Sequence, residues 1–144
     1  MKFIFKTFFL LLLVTAKANA STPNCLSFKG QWVNEKGSVL TFDNADKASG
    51  SLTGSYISST GTEGSRYPLI GWYNHSKAVK GKNNATSISF SVRWGSHGSI
   101  TSWTGTCSIK NGKPSISAIW NLVRSNSDYA WDHMLTNHII FVPK

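Results

Sequence analysis

The sequence predicts an all-β domain, an eight-stranded antiparallel barrel with up-and-down topology. No apolar period of 3.6 residues is sustained beyond residue 20. Short alternating or β-branched stretches recur instead, separated by Gly, Asn, Asp and Ser. The short links favour pairing of consecutive strands, and closing eight strands into a barrel removes the exposed edges of an open sheet. A β-sandwich is the alternative, and only the segment 75–85 is long enough for the crossover it would need.

Eight candidate strands follow from this pattern, each ended by a turn-forming segment. They span 28–34, 37–43, 50–58, 67–74, 86–95, 99–108, 114–124 and 133–142. In chain order, the segments between them are Glu35-Lys36-Gly37, 43–50, 59–65, 75–85, Ser96-His97-Gly98, Lys110-Asn111-Gly112-Lys113 and 124–132.

The first twenty residues have the pattern of a secretory signal peptide. Lys2 and Lys6 precede an apolar run at 8–14, and Ala18-Asn19-Ala20 forms a small-residue cleavage site. The run is too short to cross a bilayer. We therefore expect residues 1–20 to be removed, residues 21–144 to form one domain, and the protein to be extracellular, or periplasmic in a bacterium.

Charge and motif content argue against several function classes. After residue 20, twelve Lys and Arg against six Asp and Glu leave a net charge of +6, with the basic residues scattered. Nucleic-acid binders show a denser stripe of basic residues than this chain does. The sequence also contains no amphipathic helix of the kind that binds membranes. No Ser-His-Asp order, carboxylate pair or metal-ligand spacing lies on the inward faces, so we expect neither an enzyme nor a metal or cofactor site.

Only two cysteines are present, Cys25 and Cys107. In an oxidising compartment a disulfide between them is the natural expectation, worth about 4 kcal/mol in the chain-entropy model. Two free thiols are the alternative.

Four tryptophans, at 94, 103, 120 and 131, lie close together among small hydroxyl and amide residues. Because strand residues i, i+2 and i+4 face the same way, Ser99, Thr101 and Trp103 share a face. Rings could simply pack the core, but a buried hydroxyl without a partner costs about 1–3 kcal/mol. The pattern therefore favours a cavity for a flat, neutral ligand that supplies those partners.

Read in order, the motifs of the inward set resemble the avidin and streptavidin family over essentially the whole chain after residue 29. They are Gly30-Gln31-Trp32-Val33-Asn34-Glu35-Lys36-Gly37-Ser38, Gly54-Ser55-Tyr56-Ile57-Ser58, Pro68-Leu69-Ile70-Gly71, Ser89-Phe90-Ser91-Val92-Arg93-Trp94, Thr101-Ser102-Trp103-Thr104-Gly105, Trp120-Asn121-Leu122 and Trp131. The resemblance implies a barrel that binds biotin non-covalently at its open end and assembles as a dimer or tetramer.

The resemblance also assigns roles to individual residues. Asn34, Ser38 and Tyr56 match the three donors around the ureido oxygen of biotin. Ser58 matches the acceptor of one ureido N–H, and Thr101 matches the hydroxyl near the thioether sulfur. Ser99 and the backbone of Thr62 match the groups that meet the valerate carboxylate. The rings and side chain that line the ligand are matched by Trp94, Trp103, Trp120 and Leu122, and the ring lent by a neighbouring subunit is matched by Trp131.

Three residues depart from the family pattern. Ile139 stands where the family places an Asp or Asn that accepts the second ureido N–H, unless a shifted or bulged last strand brings in Asn137 or His138. Lys36 replaces an apolar residue beside the ligand, and Glu63 adds a carboxylate near the carboxylate end. These departures favour, as an alternative, a barrel carrier for another small heterocycle or a glycan.

Overall fold

A computed structural model describes residues 22–62 and 64–144 as a closed antiparallel barrel. The predicted signal peptide and Glu63 lie outside the described residues. Each strand pairs with its neighbours in the sequence, so the predicted up-and-down barrel is confirmed and the sandwich alternative is wrong. The strands are β1 Gly30–Asn34, β2 Val39–Ala45, β3 Ser51–Ile57, β4 Arg66–Asn74, β5 Thr86–Arg93, β6 Ser99–Lys110, β7 Lys113–Arg124 and β8 Met134–Pro143.

The pairing of β1 with β8 closes the barrel. It runs from Trp32 opposite Pro143 to Asn34 opposite Phe141. The longest ladder joins the twelve-residue strands β6 and β7, and their connection is the dipeptide Asn111-Gly112. Both turn residues have positive φ, 51° and 75°. That geometry suits the twist of a tight hairpin, and Asn-Gly is the pair that adopts it most readily.

The segment 23–29 covers the end of the barrel at which β1 begins, which we call the closed end. Asn24 Oδ1 accepts hydrogen bonds from the backbone N–H groups of Leu26 and Ser27, which folds the segment into a turn. Phe28 is fully buried, and the Trp32 indole N–H donates to its carbonyl at 3.0 Å. The closed end is therefore filled by the chain itself.

A disulfide between Cys25 and Cys107 fastens this segment to β6, with a Cα–Cα distance of 5.3 Å. The Thr86 hydroxyl on β5 also donates to the Cys25 carbonyl at 3.0 Å. The predicted disulfide is confirmed, and the alternative of two free thiols is wrong.

Aromatic rings fill the interior above the closed end. Phe42 meets Phe90 edge to face, and Phe90 in turn stacks on Trp103 with ring centroids 5.0 Å apart. Phe141 lies against both Phe90 and Tyr56. These contacts form a continuous ring-packed layer, and Trp103 and Tyr56 are its members nearest the opposite, open end.

We expect the disulfide to stabilise the barrel without shaping its open end. Replacing both cysteines with alanine should lower the free energy of unfolding by about 4 kcal/mol, because a link between residues 82 apart restricts the unfolded chain. Urea denaturation measures this, and dithiothreitol should shift the midpoint of the natural protein but not that of the variant. Equal unfolding free energies for the two proteins would contradict the prediction.

Candidate ligand-binding site

A cavity of about 380 Å³ opens at the end of the barrel opposite Cys25. Eleven of the twelve residues that the sequence predicts for the ligand site line it, and Trp131 is the exception. Those that line it are Asn34, Ser38, Tyr56, Ser58, Thr62, Trp94, Ser99, Thr101, Trp103, Trp120 and Leu122. Lys36, Thr60, Gly61, His97 and Ile139 complete the wall.

The turn between β1 and β2 fixes the orientation of the Asn34 amide. Its Oδ1 accepts hydrogen bonds from the backbone N–H groups of Lys36 and Ser38, at 3.0 and 2.9 Å. Gly37 makes the tight turn possible with φ of 84°. Because the oxygen is occupied by the turn, the amide nitrogen is the part of the buried Asn34 side chain that remains to donate into the cavity.

Ser38 and Tyr56 add two hydroxyl donors beside Asn34. The Ser38 Oγ accepts the backbone N–H of Ser59 at 3.1 Å and also lies 3.1 Å from the Ser59 hydroxyl; with Ser59 as the donor of that second bond, the Ser38 proton is available to the cavity. Burial raises the pKa of the Tyr56 phenol, and the neighbouring Ser38 and Asn34 side chains partly offset that rise. The three groups therefore converge, and Tyr56 remains a protonated donor at neutral pH.

Ser58 has the opposite polarity. Its hydroxyl donates to the Thr60 carbonyl at 2.7 Å and accepts the backbone N–H of Thr60 at 3.2 Å, so its second lone pair is what it can offer to a ligand N–H. The same carbonyl accepts the backbone N–H of Thr62 at 2.8 Å. The Thr62 N–H is expected to donate to a ligand carboxylate, and this local bond must break for it to do so. The Thr62 hydroxyl oxygen is buried and has no partner among the described residues.

Tryptophans form the other walls. The Trp94 indole N–H donates to the Thr101 hydroxyl oxygen at 2.7 Å, which orients the ring and leaves the Thr101 proton available. Trp103 lies between Phe90 and Tyr56, with both ring centroids 5.0 Å from its own. These rings are held by the core behind them, so the apolar walls are rigid before any ligand enters.

Ile139 occupies the wall on β8, where it is buried. β8 pairs with β7 without a register shift from Met134 to Phe141, so the strand is not bulged. The Oδ1 of Asn137 accepts the backbone N–H of His138 at 2.7 Å, and the His138 ring bonds to Ser117. Neither residue lines the cavity. The apolar character expected at this position is therefore present in the structure.

Trp131 lies outside its own chain's cavity, on the short 3-10 segment Ala130–His133. Its side chain is 73% exposed and stacks on Tyr129. Arg124 holds the segment in place by donating to the Asp132 carboxylate at 2.8 Å and to its carbonyl at 2.9 Å. An exposed ring on a well-anchored segment is available to another molecule.

Three lining residues were not predicted as ligand contacts. Thr60 and Gly61 belong to the segment after β3, and His97 belongs to the short turn Gly95–His97 between β5 and β6. Nothing in the alternation of a strand predicts which loop residues fold over the end of a barrel. Of the described residues, no group of His, Cys, Asp and Glu could hold a metal ion. No described helix is long and apolar enough to cross a membrane.

Together, the closed barrel and its open-ended cavity, with fixed hydrogen-bonding groups and tryptophan walls, have the form of a small-molecule-binding barrel. The sequence profile of the Avidin family matches residues 22–144, and the chain belongs to the avidin family. The resemblance seen in the motifs is thereby confirmed.

Individual relatives agree with this assignment. Avidin from Gallus gallus is 33% identical over 131 residues, covering 88% of this chain and 82% of avidin. Avidin-related protein 4/5 from Gallus gallus is 30% identical over 131 residues, with the same coverage of both chains. The crystal structure of a shwanavidin variant in complex with biotin matches with a TM-score of 0.63 at 33% identity, covering 87% of this chain and all of the other.

The buried Tyr56 phenol predicts a pH dependence of stability. A tyrosine in the unfolded chain loses its proton near the ordinary value of 10.0, but folded Tyr56 keeps its proton to higher pH. Above pH 10 the native state therefore binds more protons than the unfolded state, and the free energy of unfolding should fall as the pH rises. Urea denaturation between about pH 9 and 11 should show a shallower fall for Tyr56→Phe. Tyr73, whose pKa burial also raises, remains in both proteins, and identical slopes would contradict the prediction.

Proposed function

We propose that this protein binds biotin non-covalently in the open-end cavity and sequesters it. The observation that carries the proposal is the convergence of the Asn34 amide and the Ser38 and Tyr56 hydroxyls, all on the polar side of a cavity walled by tryptophan. Three donors aimed at one point fit the oxygen of a cyclic urea, whose partial negative charge they stabilise. The family assignment and the biotin complex of the shwanavidin variant support the same ligand.

The remaining groups of biotin find partners along the cavity. One ureido N–H donates to Ser58, whose own proton is held by Thr60. The Thr101 hydroxyl faces the thioether sulfur, and the Trp94, Trp103 and Trp120 rings remove the bicyclic ring from water. A volume of about 380 Å³ suits one small ligand of this size.

The carboxylate end of biotin meets the mouth of the cavity. The exposed lining residues lie there, among them Lys36 and His97, with Ser99 below them. An ammonium group near the mouth attracts a carboxylate, although solvent and salt screen the interaction. Lys36 therefore interacts with the anionic end of the ligand instead of making the apolar contact usual at its position.

Trp131 acts, in this proposal, as a lid on the cavity of a neighbouring copy. Its exposure and its absence from its own cavity support this role, since a large exposed ring on an anchored segment suits burial against a partner. The active form is then a homodimer or homotetramer.

Secretion and a binding role, rather than catalysis, complete the proposal. The predicted signal peptide at 1–20 and the disulfide both suit an extracellular or periplasmic protein. Residues 21–144 form the binding domain, with no cofactor beyond the bound ligand.

Titration with biotin tests the proposed function. The fluorescence of the cavity tryptophans and the heat of binding should both saturate at one biotin per chain.

The substitution Asn34→Asp tests the donor. One carboxylate oxygen still accepts the hydrogen bonds of the turn, but the other replaces the donating amide nitrogen and repels the ureido oxygen. We expect affinity to fall roughly 5- to 150-fold, the equivalent of about 1–3 kcal/mol.

The control for this substitution is Asn44→Asp on β2, an exposed position outside the cavity that receives the same change. It should leave the affinity unchanged. No saturable signal from the natural protein at micromolar concentration would contradict the proposed function.

Removing the lid should act on the release of biotin. Trp131→Ala is expected to raise the dissociation rate at least tenfold at concentrations where the protein is oligomeric, because the ligand loses its cover. Stopped-flow displacement measures the rate. Trp72→Ala, which removes a similarly exposed tryptophan from β4, serves as the control and should have no effect. An unchanged release rate in Trp131→Ala would reject the lid.

A further inference from the structure

The groups that hydrogen-bond into the cavity lie on one part of its circumference. In the order of the closed sheet, Ile139 on β8 is followed by Asn34 on β1, Ser38 before β2, Tyr56 on β3 and Ser58 just after it. The three converging donors therefore stand between an acceptor, Ser58, and an apolar residue, Ile139. A flat ring whose carbonyl accepts from these donors therefore turns one edge toward Ser58 and the other edge toward Ile139.

Among the described residues that line the cavity, none on the Ile139 flank supplies an acceptor. The outward ring of His138 bonds to Ser117, and Asn137, whose oxygen accepts the backbone N–H of His138, is exposed and does not line the cavity. Because β8 keeps its register through this region, no bulge turns His138 inward, and Asn137, which shares the face of Ile139, stays opposite Trp120, nearer the mouth. The neighbouring lining residues on β7, Trp120 and Leu122, present ring and aliphatic surface.

The one polar atom that Trp103 contributes to the apolar side has the wrong polarity for a second N–H. Trp103 lines the cavity and is only 3% exposed, and its indole nitrogen has no partner among the described residues. An indole nitrogen donates and never accepts. A ligand N–H turned toward this side therefore meets apolar surface or another donor.

We propose that Ile139 makes the site selective for rings with a single N–H beside the carbonyl, such as a cyclic carbamate or a lactam of biotin's shape, over the cyclic urea itself. This inference rests on the proposed function, because it places the ring carbonyl on Asn34, Ser38 and Tyr56. A cyclic urea must bury its second N–H without a partner, whereas a ring with oxygen or methylene at that position has no such donor to desolvate. The expected preference is roughly 5- to 100-fold.

The experiment compares biotin with its two carbamate analogues, in each of which oxygen replaces one ureido N–H. Isothermal titration of the natural protein should show one analogue binding at least fivefold more tightly than biotin. The other analogue, which loses the bond to Ser58, should bind more weakly than biotin. The Ile139→Thr variant, which places a hydroxyl acceptor on that flank, should abolish or reverse the advantage of the first analogue.

Ile139→Val is the matched control, because valine has nearly the shape of threonine without its acceptor, and it should preserve the order seen in the natural protein. Biotin binding more tightly than both analogues would overturn the inference while leaving the proposed function intact. An order that Ile139→Thr and Ile139→Val change equally would also overturn it. Tight binding of a carbamate without measurable biotin binding would support the inference and overturn the proposed function, and no binding of any of the three would overturn both.

Discussion

The pairing of β1 with β8 is the constraint on which the rest of the structure depends. Closure gives the sheet a single interior, and the eight strands set its width, enough for packed side chains or one small ligand. Phe28 and the ring-packed layer above it fill the closed end, so the unfilled volume of about 380 Å³ lies at the open end. The alternation of inward and outward residues thus produces both the core and the site.

The loops at the open end fix the polarity of the site before a ligand arrives. The turn after β1 donates hydrogen bonds to the Asn34 oxygen, so the Asn34 nitrogen remains as a donor. The Thr60 carbonyl accepts the Ser58 proton, so the Ser58 oxygen remains as an acceptor. Groups already oriented by the protein lose little freedom on binding, so more of each hydrogen bond appears as affinity. The flank at Ile139 lacks such a group, and this asymmetry defines the ring that the cavity suits best.

Sequence alone predicted the barrel because its signals are local. Alternation placed every strand boundary within about two residues, and Asn111-Gly112 marked the tightest turn. That Thr101 and Trp103 lie on the same face also followed from the alternation of side chains along a strand. The alternation did not predict the directions of hydrogen bonds, because whether Ser58 donates or accepts depends on a carbonyl two residues away. The bond of the Thr62 N–H within its loop and the regular register of β8 past Asn137 likewise depend on folding that no residue pattern records.

The central claim is that Asn34, Ser38 and Tyr56 donate to a ring carbonyl, while the ring N–H that faces Ile139 has no hydrogen-bond partner. The crystal structure of the protein with biotin tests it most directly. The account predicts the ureido oxygen within hydrogen-bond distance of the Asn34 amide nitrogen and the Ser38 and Tyr56 hydroxyls, one ureido N–H on Ser58, and the other against Ile139 with no protein acceptor. A ring turned to place its sulfur or carboxylate at Asn34, or a shift of β8 that brings an acceptor to the second N–H, would contradict it.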